Sequence, residues 1–145
     1  MKRHATAIWK GTLVDGSGTL ATQSGAFENV PYSFKGRFQD EDGQSGTNPE
    51  ELIAAAHAGC FAMQLSHMLA ENGTPADRLD AKAVIEYGPA PGGGFQINSS
   101  TITLSGSVPG IDESKFREIA NGAKEACPVS KALGAIEIRL DATLA

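Results

Sequence analysis

The chain has 145 residues, a length at which one domain buries roughly 68–70% of its unfolded surface without disulfide support. Its formal net charge of −5, with no run of Lys or Arg, argues against nucleic acid, whose phosphates demand a basic stripe, and gives no attraction to anionic membrane surfaces. Nothing after Met1-Lys2-Arg3 reads as a secretory signal and no run of about 20 apolar residues reads as a bilayer span, so a cytoplasmic protein is expected, where a standing disulfide would be unusual.

No repeat or low-complexity linker divides residues 1–145, and the order of elements predicts a single α+β unit. His4-Thr6-Ile8 alternates with Ala5-Ala7-Trp9, and after the turn at Asp15-Gly16-Ser17-Gly18 a second extended run follows at Thr19–Thr22. Val30, Tyr32 and Phe34 alternate to give a third strand, before a polar loop from Asp40 to Gly46. Asn48 can then cap a helix, Pro49 suits its first position, and Glu50 and Glu51 oppose the positive end of its dipole. From Leu52 to Leu69 nearly every turn is apolar on several faces, so this helix should be central, with little of it facing water, and Gly73 should end it.

Beyond it, Ala81-Ala83-Ile85-Tyr87 opposes Asp80-Lys82-Glu86 as a half-buried strand, and Gly88 to Gly94 reads as a hairpin loop. Phe95 and Ile97 occupy odd positions while Ile102 and Leu104 occupy even ones, which predicts a bulge or bend between Asn98 and Thr101. Asp112 can cap a second helix, in which Phe116, Ile119, Ala120 and Ala123 recur at helical spacing until Cys127 extends the stripe and Pro128 breaks it. Val129 to Leu133 supplies one further turn, and Ile136-Ile138-Leu140-Ala142-Leu144 alternates with polar residues as a last strand.

Two cysteines stand out on this frame. Cys60 lies deep in the apolar first helix and Cys127 directly before Pro128, where a new helix start offers unpaired backbone N–H groups that stabilise a thiolate. A cysteine in an alanine-rich helix is by itself consistent with a small buried hydrophobe. His57 and Cys60 share a helix face, so a metal site with Cys127 as third ligand, or a cysteine hydrolase with His57 as base, also has to be weighed. There is no C-x-x-C pair or clustered second histidine for the first, and no motif orients the imidazole for the second. Neither a metal nor a cofactor is expected.

The segments Arg37-Phe38, Gly46-Thr47-Asn48-Pro49-Glu50-Glu51-Leu52 running on to His57-Ala58-Gly59-Cys60-Phe61, and Ala126-Cys127-Pro128-Val129-Ser130 together resemble the OsmC branch of the OsmC/Ohr family. Trp9, Pro31-Tyr32 and Val108-Pro109-Gly110-Ile111-Asp112 match as well, so the likeness covers essentially the whole chain. The resemblance implies an OsmC-like α+β fold, with antiparallel sheets around two long central helices, in an intertwined homodimer. It also implies a thiol peroxidase acting on organic hydroperoxides in stress defence. Carried over residue by residue, Cys60 matches the peroxidatic cysteine, Cys127 the resolving one, Arg37 the arginine that pairs with the reactive thiolate, and Glu50 the glutamate that holds this arginine. An external dithiol, of lipoyl type, is the implied reductant.

Chemically the assignments cohere, because a guanidinium favours the thiolate and a carboxylate can hold its fork bidentately. Glu50 and Cys60 are nonetheless ten positions apart on one helix, about 15 Å along its axis, which points to Arg37 and Glu50 reaching Cys60 from the partner subunit. An apolar pocket would prefer alkyl peroxides, and Phe38, Phe61, Met63 and Met68 are candidates to line it. His57 is expected near the dimer core with a satisfied ring nitrogen, and His67 has no assigned role. The different class of function is a redox-sensing or ligand-binding module that uses the same cysteine pair as a switch.

Overall fold

The computed structural model describes residues 1–145, which divide into two compact units, Met1–Pro49 and Glu50–Ala145. In the first unit, β1 (Ala5–Lys10), β2 (Ser17–Thr22) and β3 (Val30–Ser33) form an antiparallel sheet in that order. Gly18 of β2 stands opposite both Trp9 and Tyr32, whose ring centroids are 5.2 Å apart. A Cβ at Gly18 would collide with the Ile8 carbonyl and come within 2.6 Å of the Tyr32 ring, so the aromatic pair depends on a residue without one. The unit buries no large apolar side chain: Ile8, Leu13 and Val14 are all exposed.

The third strand was expected to run through Phe34, but it ends one residue earlier. Ser33 is extended at φ −154° and its Oγ accepts the Gly36 N–H at 3.0 Å, which caps a short helix, α1 (Phe34–Phe38). The loop that follows is held by Asp40, whose carboxylate accepts the Ser45 backbone N–H at 2.7 Å and its hydroxyl at 2.6 Å.

The second unit is built on α2 (Pro49–Glu71), β4 (Arg78–Pro89), β5 (Phe95–Ser107), α3 (Glu113–Ala126), α4 (Pro128–Ala132) and β6 (Glu137–Leu144). Helix α2 starts at Pro49 and stops before Gly73, whose φ of +80° suits glycine and whose neighbour Thr74 donates its N–H to the Leu69 carbonyl at 3.0 Å. Strands β4 and β5 pair as a hairpin closed by three glycines of positive φ, Gly92, Gly93 and Gly94. Glu86 faces Ser99 and Tyr87 faces Ile97, leaving Asn98 unmatched. That single extra residue is the expected bulge, and it reconciles the odd and even apolar positions of β5.

Strand β6 joins β5 in parallel, so the sheet is mixed where antiparallel sheets were expected. The reason is connectivity, since a chain leaving β5 through the helices α3 and α4 returns to the same edge in the same direction. Asp112 caps α3 by accepting the Lys115 N–H at 2.9 Å, and Phe116, Ile119, Ala120 and Ala123 form its buried stripe. Phe116 packs on the sheet at Gly106, where an added Cβ would lie 2.7 Å from its ring.

Helix α2 departs from the expectation that little of it faces water. His57, Phe61, Leu65 and Leu69, four apart along one line, are buried, whereas Ala55, Ala56, Gly59 and Met63 are exposed. The helix is also long and apolar enough, by length and composition alone, to cross a membrane, contrary to the sequence reading. Its buried line belongs to a core shared with Ile102, Leu104, Phe116 and Ala123.

Candidate active site: a pair of thiols

The α3 stripe carries Cys127 into the core, and the turn of α2 that buries Phe61 puts Cys60 beside it. The two sulfurs are 3.1 Å apart, share a hydrogen bond and are not covalently joined. Cys127 is buried and Cys60 is partly exposed. A disulfide needs about 2.05 Å between sulfurs, so bond formation asks for an approach of roughly 1 Å rather than a refolding of the unit.

Cys127 ends α3 and begins α4 at φ −59° and ψ 122°, the extended conformation that a following proline imposes. Cys127 thus caps α4, with no side-chain hydrogen bond to the first N–H groups of that helix. Burial pushes the Cys127 thiol up, but its surroundings at the start of α4, the Ser130 N–H first, then Cys60, the Ser130 hydroxyl and the Val129 N–H, act the other way and bring Cys127 below the ordinary thiol range. Cys60 moves the other way, raised by burial and by its hydrogen bond with Cys127 against a weaker contribution from the Val129 N–H. With their sulfurs in hydrogen-bond contact, the two thiols titrate together rather than singly.

His57 lies three residues before Cys60 and is fully buried. Its Nδ1 is 2.7 Å from the Ser100 hydroxyl of β5 and its Nε2 is 2.8 Å from the Ser130 hydroxyl of α4. Both ring nitrogens are therefore occupied by hydroxyls, where the sequence led to the expectation of one, and neither is turned to a metal ion or to the Cys60 sulfur as a base. Desolvation holds the ring below the usual histidine range, in its neutral form. Ser100 and Ser130 were not singled out from the sequence. Ser130, three positions after Cys127 in the first turn of α4, carried a readable signal, whereas Ser100 comes from a distant strand.

The other expected site residues belong to both units. Glu50 is in the first turn of α2, ten positions before Cys60 on the same continuous helix. In the first unit, the Arg37 guanidinium lies over the Phe38 ring at 4.9 Å, and both border a hollow of about 280 Å³ lined also by Trp9, Leu13, Tyr32 and Phe34. Phe61, Met63 and Met68 do not line one surface with each other. Phe61 is 0% exposed in the core, Met68 packs partly buried against that core, and Met63 is 76% exposed beside Ser66 and His67. His67 itself pairs with Glu71 at 3.5 Å on the helix surface.

Residues 40–141 match the family model described as OsmC-like protein. The chain belongs to the OsmC-like family. It is 45% identical over 139 residues to a protein named Peroxiredoxin OsmC from Escherichia coli (strain K12), covering 96% of this chain and 94% of that one. It is also 36% identical over 102 residues to the Organic hydroperoxide resistance protein OhrB of Bacillus subtilis (strain 168), covering 70% and 73% of the two chains. The crystal structure of the Bacillus subtilis OhrB superposes with a TM-score of 0.74 at 27% identity, over 97% of this chain and 98% of that one. The OsmC-like fold and the α+β class are thus those the sequence pointed to.

Proposed function

We propose that this OsmC-like chain is a cysteine-based peroxidase that reduces organic hydroperoxides to alcohols, with Cys60 as the attacking thiol and Cys127 as the resolving one. The observation that carries this reading is the pair of free sulfurs at 3.1 Å, one partly exposed and the other buried. A peroxide can reach Cys60 first. Its thiolate attacks the distal peroxide oxygen, the O–O bond breaks, the alkoxide takes a proton and leaves as the alcohol, and Cys60 becomes a sulfenic acid. Cys127 then attacks the Cys60 sulfur, the S–O bond breaks, hydroxide leaves as water with the proton that Cys127 gave up, and a disulfide forms. An external dithiol, of lipoyl type, returns both thiols by exchange and is itself oxidised to a disulfide.

The groups of its own unit raise Cys60, so the attacking thiolate requires a cation. Arg37, oriented by Glu50, is the residue we assign to this role. A helical separation of about 15 Å between Glu50 and Cys60 favours their delivery from the partner subunit of a homodimer. Two further features favour that assembly: α2 leaves Met63 and a row of small residues uncovered, and the first unit has exposed Ile8, Leu13 and Val14 with no core of its own. The hollow beside Arg37, walled by Trp9, Tyr32, Phe34 and Phe38, suits an alkyl chain better than a hydrogen peroxide molecule.

The test is consumption of cumene hydroperoxide and of hydrogen peroxide by the purified protein, with dihydrolipoamide as the reductant. We expect sustained turnover with kcat/KM at least about 10-fold higher for the organic peroxide, the selectivity that a few buried methylenes confer. Equal rates, or no turnover with the thiols reduced and accessible, would remove the substrate assignment or the enzyme itself.

A further inference from the structure

We propose that Ser130 and His57 are positioning residues for Cys127: the hydrogen-bonded line Ser100–His57–Ser130 ends beside the resolving cysteine and sets the rate of disulfide formation rather than of peroxide reduction. The inference rests on the peroxidase reading above and assigns work to buried polar groups that the reading leaves idle.

Three polar side chains from three elements meet out of water here, α2 supplying His57, β5 Ser100 and α4 Ser130. Burying them costs desolvation that an apolar trio of the same volume would avoid. The line also has one end with a chemical purpose, because Ser130, bonded to His57 Nε2, stands three positions after Cys127 in the helix turn that Cys127 caps, and its side chain favours the Cys127 thiolate.

A neutral imidazole carries one N–H and one lone pair, so the line has two consistent directions. In the first, Ser100 donates to Nδ1, Nε2–H donates to Ser130, and the Ser130 O–H is free to donate to a Cys127 thiolate. In the second, Nδ1–H donates to Ser100, Ser130 donates to Nε2 and offers no proton to Cys127, which as a thiol donates its S–H to Cys60. Reversal of the line thus follows the protonation state of Cys127 while the ring stays uncharged, as its burial requires. Disulfide formation is the step that needs Cys127 as a thiolate at the moment it attacks the Cys60 sulfenic acid. Peroxide cleavage takes place at Cys60, which lies on α2 and not on the helix that carries Ser130.

The experiment mixes reduced full-length protein with one equivalent of cumene hydroperoxide. It follows peroxide loss, trapping of the Cys60 sulfenic acid by a dimedone probe, and appearance of the Cys60–Cys127 disulfide by mass. For Ser130→Ala we expect disulfide formation to slow by about 10- to 100-fold, the scale of a lost hydrogen bond to a charged group. Trapped sulfenic acid should rise accordingly, while loss of the first peroxide equivalent changes by less than about threefold. Ser130→Thr, which keeps the hydroxyl, should restore the disulfide rate. A second pair guards against misfolding: His57→Gln, which keeps one donor and one acceptor, should stay closer to the wild-type disulfide rate than His57→Phe. Wild-type disulfide rates in Ser130→Ala, or equal slowing of both steps, would overturn the inference alone. A wild type that forms no Cys60–Cys127 disulfide would overturn the peroxidase reading and this inference with it.

Discussion

Replacement of Cys60 by serine is expected to abolish peroxide turnover, a loss of at least about 10³-fold in kcat/KM, with the fold intact. The magnitude follows from the chemistry, because a serine hydroxyl is not ionised near neutral pH and does not form a sulfenic acid. The fold should survive because Cys60 is only partly buried and the line it borders is anchored by Phe61, Leu65 and Leu69. Steady-state consumption of cumene hydroperoxide with dihydrolipoamide, beside a thermal melt, measures both. The Cys127→Ser variant is the informative companion, since it should reduce about one equivalent of peroxide and then stall as a sulfenic acid. Residual turnover in the Cys60 variant with complete loss in the Cys127 variant would reverse the two roles, an outcome that the easier ionisation of Cys127 within its unit makes worth excluding.

Phe61→Ala should cost about 3–5 kcal/mol of stability, the range for emptying a fully buried aromatic site. Phe61 is 0% exposed and sits in the core with Leu65, Ile102 and Phe116, immediately after the reactive cysteine. The vacated space also removes a wall that holds the α2 turn carrying Cys60 against Cys127. Urea unfolding is expected to move to a clearly lower midpoint, with the KM for peroxide changed much less than the stability. A KM raised several-fold at unchanged stability would instead return Phe61 to the substrate pocket that the sequence suggested for it.

That contrast marks where the sequence was legible. The entry of α2 was readable from Asn48-Pro49-Glu50 because capping and proline preferences are local, and so was the break at Cys127-Pro128. The bulge could be inferred from the change of apolar parity across Asn98, since sheet faces are strictly alternating. Helix α1 was hidden because Val30, Tyr32 and Phe34 keep a strand's alternation up to the residue that Ser33 caps into a helix. The parallel direction of β6 is not encoded in its alternation at all, but in the helices that precede it.

The uncovered face of α2 was read as buried because an all-round apolar helix normally is, and one chain covers only the line from His57 to Leu69. The thiol pair was legible as chemistry and, through the family resemblance, as a pair. Its setting was not, because His57 meets Ser100 and Ser130 across 43 and 73 positions of sequence, and no periodicity carries such contacts.

The account turns on Cys60 and Cys127 acting on each other after one encounter with a peroxide. The measurement that tests it most directly is peptide mass mapping of the protein, reduced and then treated with one equivalent of alkyl hydroperoxide. The account predicts a single new species two hydrogens lighter, with Cys60 and Cys127 cross-linked within one chain and the alcohol released in equal amount. Unchanged thiols, or oxidation confined to the three methionines, would contradict it.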